Sequence, residues 1–510
     1  EWEYQMMQML LPQLNADYVN KIAKSYVTDN NLIISIMSPD KEAVKVPSES
    51  EIKVAVEESK KVELTAKAEE DMNKPLISKA PKAGKVKIVS QNAKLGTTEW
   101  VLNNGVKVIL KPTQFKKDEI IMSAFSNGGT SKVKNVADLT SATLATSIVA
   151  NNGLGDYTQV ELGKLLTGKI ASVTPYIGAY EEGFDGNSSV SDFETMLQLI
   201  YLNFTAPRKD DNSFGALMNM YRASMANSAS DPRKAFSDTV SLWLSNNNVR
   251  TVTLNLKALD LISQDKALAI FKERFAAPAD FTFVFTGNVD PNNETQKQAI
   301  CTYLGGLKTK KVVEKYTDNN IRKPKGDVKK YFTKEMKVKK ASNFIMYSAS
   351  MPFNMTNRTA VTAIGSILNM RYLESIREKE GGSYGVGVRG SMSNTPIHEA
   401  TLLMQFDTDP EKQAKLMGII HSEVKEIVAN GPRKDDLQKV KENMLKKYTE
   451  DLAENSWWDG AIVRYYQDKL NLVDDYKAAV EALTPELIQS TLKQITDQGN
   501  VIEVVMKPAE

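Results

Sequence analysis

Three stretches of this sequence repeat one plan, an amphipathic helix followed at once by a short apolar strand: residues 14–39, 263–289 and 484–508. The third is the best marked, with Thr484 placed to cap the helix and Pro485 at its first position. The two later copies stand about one domain length apart and read as the closing units of successive similar domains. By the same reading, residues 1–40 are the tail of a preceding homologous domain.

The chain between the repeats follows this scheme. Residues 41–95, rich in Glu, Lys, Ser and Pro, read as a connector and hinge with some helix. A domain over 96–325 opens with a hairpin whose Asn104-Gly105 pair is a two-residue turn signal. A strand over 119–129, a helix over 136–153 and two antiparallel strands within 169–190 follow. Thr158 with Glu161 and Ser191 with Glu194 predict capping boxes. Helices over 211–229 and 235–246 then lead to the second repeat.

After a basic linker the same order recurs in 326–510. Strands over 330–338 and 343–350 precede a helix over 357–380, and strands over 383–392 and 399–409 come next. Asp409-Pro410 starts a long helix that ends at Asn430-Gly431. The expectation is an α+β fold of two homologous domains, each a mainly antiparallel sheet with helices packed on one face.

Composition narrows the function. At 510 residues the chain exceeds a single core, and 42% hydrophobic with 25% charged residues is ordinary for a globular protein. A net charge of +2 gives no broad case for nucleic acid. No apolar run approaches the ~20 residues of a membrane span. The lone Cys301 excludes an internal disulfide framework and reads as a small buried hydrophobe. The sequence opens at Glu1 in a helical pattern without initiator Met or signal peptide, as expected of a fragment whose N-terminal portion has been removed.

Two phosphate-binding patterns match by letter and fail by context. Gly385-x-Gly387-x-x-Gly390 lies after a helix and inside a strand, the reverse of a dinucleotide site. The run from Gly163 to Lys169 continues with Ile170 where a metal-holding Ser or Thr belongs. There are only two histidines, His398 and His421, on separate elements and without Glu or Cys at ligand spacing, so both read as structural. No catalytic centre is recognisable in this chain alone.

One stretch carries chemistry, RYLESIREKEGGSYGVGV over 371–388. A helix bearing Arg377 is stopped by Gly381-Gly382, and a strand bearing Tyr384 follows. Held together, a guanidinium and a phenol suit a peptide carbonyl or a developing oxyanion. Taken alone, the two read as a surface arginine and a packed tyrosine.

With IREKEGGSYGV (376–386), TEWVLNNGVKVILKPT (98–113) and the duplicated domains in view, the chain resembles the C-terminal half of the pitrilysin/insulinase family of zinc metallopeptidases, the inverted zincins. The runs 192–208, 281–290 and 406–416 add to the likeness, which covers nearly the whole chain. The resemblance implies the LuxS/peptidase-like α/β roll, and two halves closing like a clamshell on an unfolded peptide. It implies that zinc, general base and water activation belong to an N-terminal half carrying H-x-x-E-H, the partner of this one, and that this chain binds no metal. It makes Arg377 and Tyr384 substrate contacts, Tyr384 donating to the scissile carbonyl, with Gly381 and Gly382 allowing close approach. The corresponding helix of the first domain, VADLTSATLATS, has no histidine, as the C-terminal half of such a peptidase would. A catalytically inactive scaffold of the same fold is the alternative. A bacterial periplasm is the expected compartment, with the cytoplasm as the other choice.

Overall fold

The computed structural model describes all residues except 27, 29, 39–43, 64–73, 311–312, 384 and 510. It divides into two compact units, Glu1–Glu70 and Asp71–Glu510.

The first unit contains helices Trp2–Leu10, Ala16–Tyr26 and Glu49–Ser59, none with a buried residue. Ser48 and Glu51 close a capping box at the third. Helix Ala16–Tyr26 is the helix of the first repeat, but residues 32–38 form no strand, contrary to expectation. Ile33 and Met37 stand 90% and 98% exposed. A strand exists only where another backbone accepts its ladder of hydrogen bonds. Both complete repeats supply such partners, and here none is present among the described residues of the unit.

The second unit holds two sheets. The strands of the first are β1 (Val86–Asn92), β2 (Thr97–Leu102), β3 (Lys107–Pro112), β4 (Ile120–Asn127), β5 (Ala171–Ile177), β6 (Glu181–Ser188) and β7 (Thr282–Gly287), in the order β1-β2-β3-β7-β4-β6-β5. The second has β8 (Asp327–Lys334), β9 (Ala341–Ser350), β10 (Gly387–Ser393), β11 (Glu399–Thr408) and β12 (Val501–Pro508), in the order β10-β11-β9-β12-β8. Read from β3 and from β8, the orders 3-7-4-6-5 and 8-12-9-11-10 are identical. In each, one pair is parallel, β3 with β7 and β8 with β12, and the rest are antiparallel. The duplication therefore extends to topology, and the closing strand of each repeat inserts into the middle of its sheet.

Some local expectations need correction. Residues 86–92, assigned to the connector, form edge strand β1 of the first sheet. The β2–β3 turn is one residue longer than the Asn104-Gly105 signal suggests: the Leu102 N–H donates to Val106 O, and Gly105 takes φ +95°. Thr158 and Glu161 form their capping box, whereas helix Phe193–Thr205 starts after Asp192 without a side-chain cap. Asp192 instead accepts from the Ile170 N–H and the Ser189 hydroxyl.

Each sheet packs its own helices on one face, as expected, and its second face is covered too. Helix Asn455–Asp468 belongs to the second half, yet its Ile462 joins Leu95, Ile109, Phe125 and Val284 on the first sheet. Helix Pro232–Leu244 belongs to the first half, yet its Phe236 packs with Phe344, Met346, Ile502 and Val504 on the second. The two halves thus exchange helices. This explains why β7 is buried at all six positions and why β12 is nearly continuous in apolar burial. Aromatic caps mark both crossings: Lys111 Nζ lies 3.7 Å above the Trp458 ring, and Lys330 Nζ lies 5.8 Å from that of Trp243.

The first crossing has a polar centre. Asp459 is 6% exposed and accepts from Ser123 Oγ at 2.5 Å and Thr286 Oγ1 at 3.4 Å. Asn455, fully buried, bonds Thr113 and Glu119. Burial, aided by nearby Asp185, pushes the Asp459 carboxyl up to about 7. A folded-state value above the ordinary 3.8 means that this group's contribution is full at acid pH and is lost as pH rises through the interval to about 7. Asp459→Asn keeps an acceptor and removes the charge. It is expected to raise Tm at pH 8 and leave it nearly unchanged at pH 4, near the ordinary carboxyl value; an equal effect at both would refute the assignment.

Helix Met355–Tyr372 crosses β10 at two glycines. A Cβ on Gly390 would lie 1.9 Å from Val361 O, and one on Gly365 would lie 2.5 Å from the Gly390 nitrogen. Gly390→Ala should therefore cost ~2 kcal/mol or more through overpacking. Gly418→Ala, in helix Gln413–Asn430 with nothing within 4 Å, should hold or raise stability by up to about 1 kcal/mol. Thermal unfolding of the two variants checks the contrast.

Candidate functional site

The stretch 371–388 lies where helix Met355–Tyr372 runs out against the start of β10 and the end of β11. The last α-helical turn is locked to helix Gln413–Asn430. Arg371 Nε donates to Glu423 Oε2 at 2.7 Å, and the fully buried Tyr372 donates its hydroxyl to Ile420 O at 3.0 Å.

The helix then widens into a π-turn, Leu373–Glu378, which sequence periodicity gave no hint of. Such turns are rare and gather at functional sites. Lys379 N–H donates to Glu374 O, Gly381 N–H to Arg377 O and Gly382 N–H to Ile376 O. The last two resemble a Schellman pair one residue wider than usual, as a π-turn requires. Gly381 supplies the left-handed residue at φ +54°. The paired glycines thus end the helix as anticipated, but the strand does not follow at once: β10 begins at Gly387 rather than Ser383.

The intervening loop is tied down. Gly382 is buried, and Thr408 Oγ1 donates to its carbonyl. Ser383 Oγ lies 2.7 Å from Asp407 O, and Lys412 Nζ reaches Glu380 O and Gly381 O at 3.5 Å. The absent Gly382 side chain leaves room for Leu416, since a Cβ would lie 2.7 Å from its Cδ1. The expected approach of a peptide to Gly382 is therefore closed, because the loop's own packing uses that space. Outside, Glu374 bridges Arg433 at 2.6 Å and Lys379 at 3.0 Å, and the hydrogen bond from Arg433, foremost, pulls its carboxyl down to about 2.

On this fixed frame Arg377 is exposed, and no hydrogen bond or ion pair engages its guanidinium among the described residues. Ile376 beside it is fully buried. The backbone carrying Arg377 is thus held while its charge is left for another molecule. Tyr384 lies outside the described residues.

The histidines sit apart from this place. His421 Nδ1 is 2.6 Å from the Tyr347 hydroxyl, and Nε2 is 2.9 Å from Glu503 Oε1, though its N–H is not aimed at that oxygen. His398 meets the Phe353 N–H at 3.5 Å. Among the described residues no three His, Cys, Asp or Glu side chains are grouped to hold a metal ion, so the donors for a zinc site are not assembled here. No helix is long and apolar enough to cross a membrane among the described residues.

The space at Gly381 is open, so a substitution there meets only backbone strain. Gly381→Val should cost roughly 1–2 kcal/mol, and Gly381→Asn clearly less. Equal Tm losses for the two would contradict the left-handed assignment.

Comparison with known proteins bears on the fold that carries this stretch. Residues 262–444 match the family model described as the peptidase M16 inactive domain. A zinc protease PQQL-like protein of Arabidopsis thaliana is 25% identical over 97% of this chain and 52% of its own length. The probable zinc protease PqqL of Escherichia coli K12 is 23% identical over 68% of this chain and 37% of its own. The crystal structure of the periplasmic protease PqqL from E. coli superposes with a TM-score of 0.73, at 20% identity, over 91% of this chain and 51% of that one. The matched stretch thus spans about half, or less, of the length of these curated relatives. With its duplicated sheets and the match of residues 262–444 to the inactive domain, the chain is similar to the M16 peptidases in fold and in sequence.

Proposed function

We propose that this chain is the substrate-holding half of a zinc-dependent endopeptidase that encloses peptides or unfolded polypeptides. The observation that carries the reading is Arg377, exposed and unpaired among the described residues on a backbone fixed by a π-turn, a left-handed glycine and the Thr408 and Ser383 anchors. In the proposed complex the Arg377 guanidinium donates to a backbone carbonyl of the peptide near the scissile bond. Tyr384 donates its hydroxyl to the scissile carbonyl as it becomes tetrahedral. Gly381, with open space at its Cα, lets the peptide backbone pass close.

The metal and the proton-transferring groups come from an N-terminal half outside this sequence, in line with relatives about twice as long whose names call them zinc proteases. In this reading residues 1–40 are the closing unit of that half's second domain. The connector reaches only to the start of β1, and the third and fourth domains extend to 325 and from 326. A periplasmic setting follows the likeness to PqqL.

A preorganised donor of this kind is worth on the order of 10²–10³ in rate. In the protein assembled with its N-terminal half, Arg377→Ala and Tyr384→Phe are each expected to lower cleavage of a quenched fluorescent peptide by about tenfold or more, without loss of folding. A chelator should abolish the wild-type rate. Wild-type rates in both variants, or no cleavage by the assembly, would favour the scaffold instead.

A further inference from the structure

Four strand edges are open in the two sheets, and they differ in how well they resist pairing. An unprotected edge is a template for another strand, and proteins blunt such edges with proline, bulges or lysine. β5 has Pro175 in its middle, where no N–H can be offered. β1 carries a register shift between Val86 and Ile88. β8 carries Lys329, Lys330 and Lys334. β10 has neither proline nor bulge, and its one charged side chain is Arg389: its seven residues pair with β11 in unbroken register from Gly387 opposite Gln405 to Ser393 opposite Glu399. The Gly365–Gly390 contact holds it rigidly on helix Met355–Tyr372.

The side chains of β10 alternate. Val388 and Met392 pack on the helix layer, so Arg389 stands on the opposite face. Arg389 is exposed, and no hydrogen bond or ion pair engages it among the described residues. The nearby carboxylates of β11, Glu399 and Asp407, are already paired with Lys323 and Lys340. No described carboxylate therefore pairs with Arg389, which leaves a positive charge on this face of the edge.

From this placement we infer that β10 takes an extended acidic peptide as an added strand, with Arg389 selecting carboxylate side chains on the face it shares. Main-chain hydrogen bonds would give the affinity and alternate side chains the selectivity. A second copy of this chain is a poorer occupant, since antiparallel β10 pairing would bring two Arg389 guanidinium groups together across one face. The inference rests on the reading of this chain as a peptide-holding half and adds the substrate class and the polarity of its recognition.

The test uses the 510-residue chain and labelled octapeptides of alternating Glu and Val or alternating Lys and Val. Fluorescence anisotropy at low salt is expected to show the Glu peptide binding at least about tenfold more tightly. Arg389→Glu should reverse the preference. N-methylating the peptide amides one at a time should weaken binding at every second position only, the signature of a strand paired along one edge. Even sensitivity along the peptide, an unchanged preference in Arg389→Glu, or a chain that self-associates through β10 and ignores both peptides would overturn the proposal. Arg377→Ala separates it from the clamp. If the alternating pattern stands while the assembled Arg377→Ala protein cleaves normally, the clamp reading fails and the edge site survives. If cleavage falls and no alternation is seen, the edge site fails alone.

Discussion

The structure of the second unit depends on an exchange: each half covers the otherwise open face of the other's sheet with one helix. β7 and β12 each lie in the middle of a sheet between a parallel and an antiparallel neighbour and are apolar on both faces. A sheet whose central strand is apolar on both faces cannot leave one of them to water. Ile462 and its neighbours satisfy the first sheet, and Phe236 with Val240 and Trp243 the second. The halves are therefore not two domains on a string but one reciprocal structure. Polar groups fix the register of the crossing, with Asp459 and Asn455 at its centre.

The rigidity so gained reaches the candidate site through helix Met355–Tyr372. Two glycines press this helix against β10, and Arg371 and Tyr372 fasten its end to helix Gln413–Asn430. The π-turn and the left-handed Gly381 then present Arg377 from a backbone with little freedom left. Preorganisation of this sort lowers what a bound peptide must spend in ordering the site. The ion pairs around Glu374 add little to stability because they are exposed, but they keep the neighbouring charges engaged with one another and leave Arg377 unengaged.

Much of the fold was legible because its signals are local. Apolar strands after amphipathic helices, Pro485 behind a threonine cap, and the Gly381-Gly382 stop each act within a few residues. The helix exchange was not legible, since Ile462 and Phe236 are ordinary members of amphipathic helices and nothing in their spacing names the sheet they cover. Residues 32–38 misled for the same reason: a strand pattern states a preference, and pairing depends on a partner. At the site, the position of Arg377 near a helix end was readable. The π-turn, the burial of Gly382 against Leu416 and the four-residue delay before β10 were not, because contacts with Leu416, Asp407 and Thr408 far along the chain set them. Nothing in the sequence sets Arg389 apart, because its exposure on an edge strand depends on how the sheet is ordered.

Under the proposed function, this chain holds peptide by itself, apart from any metal. The most direct measurement is equilibrium binding of an extended peptide to the isolated chain in excess chelator, wild type against Arg377→Ala. Measurable binding is expected, weakened about tenfold in Arg377→Ala, the effect of losing one charge-assisted hydrogen bond. No binding by the wild-type chain, or equal binding by the two, would contradict it.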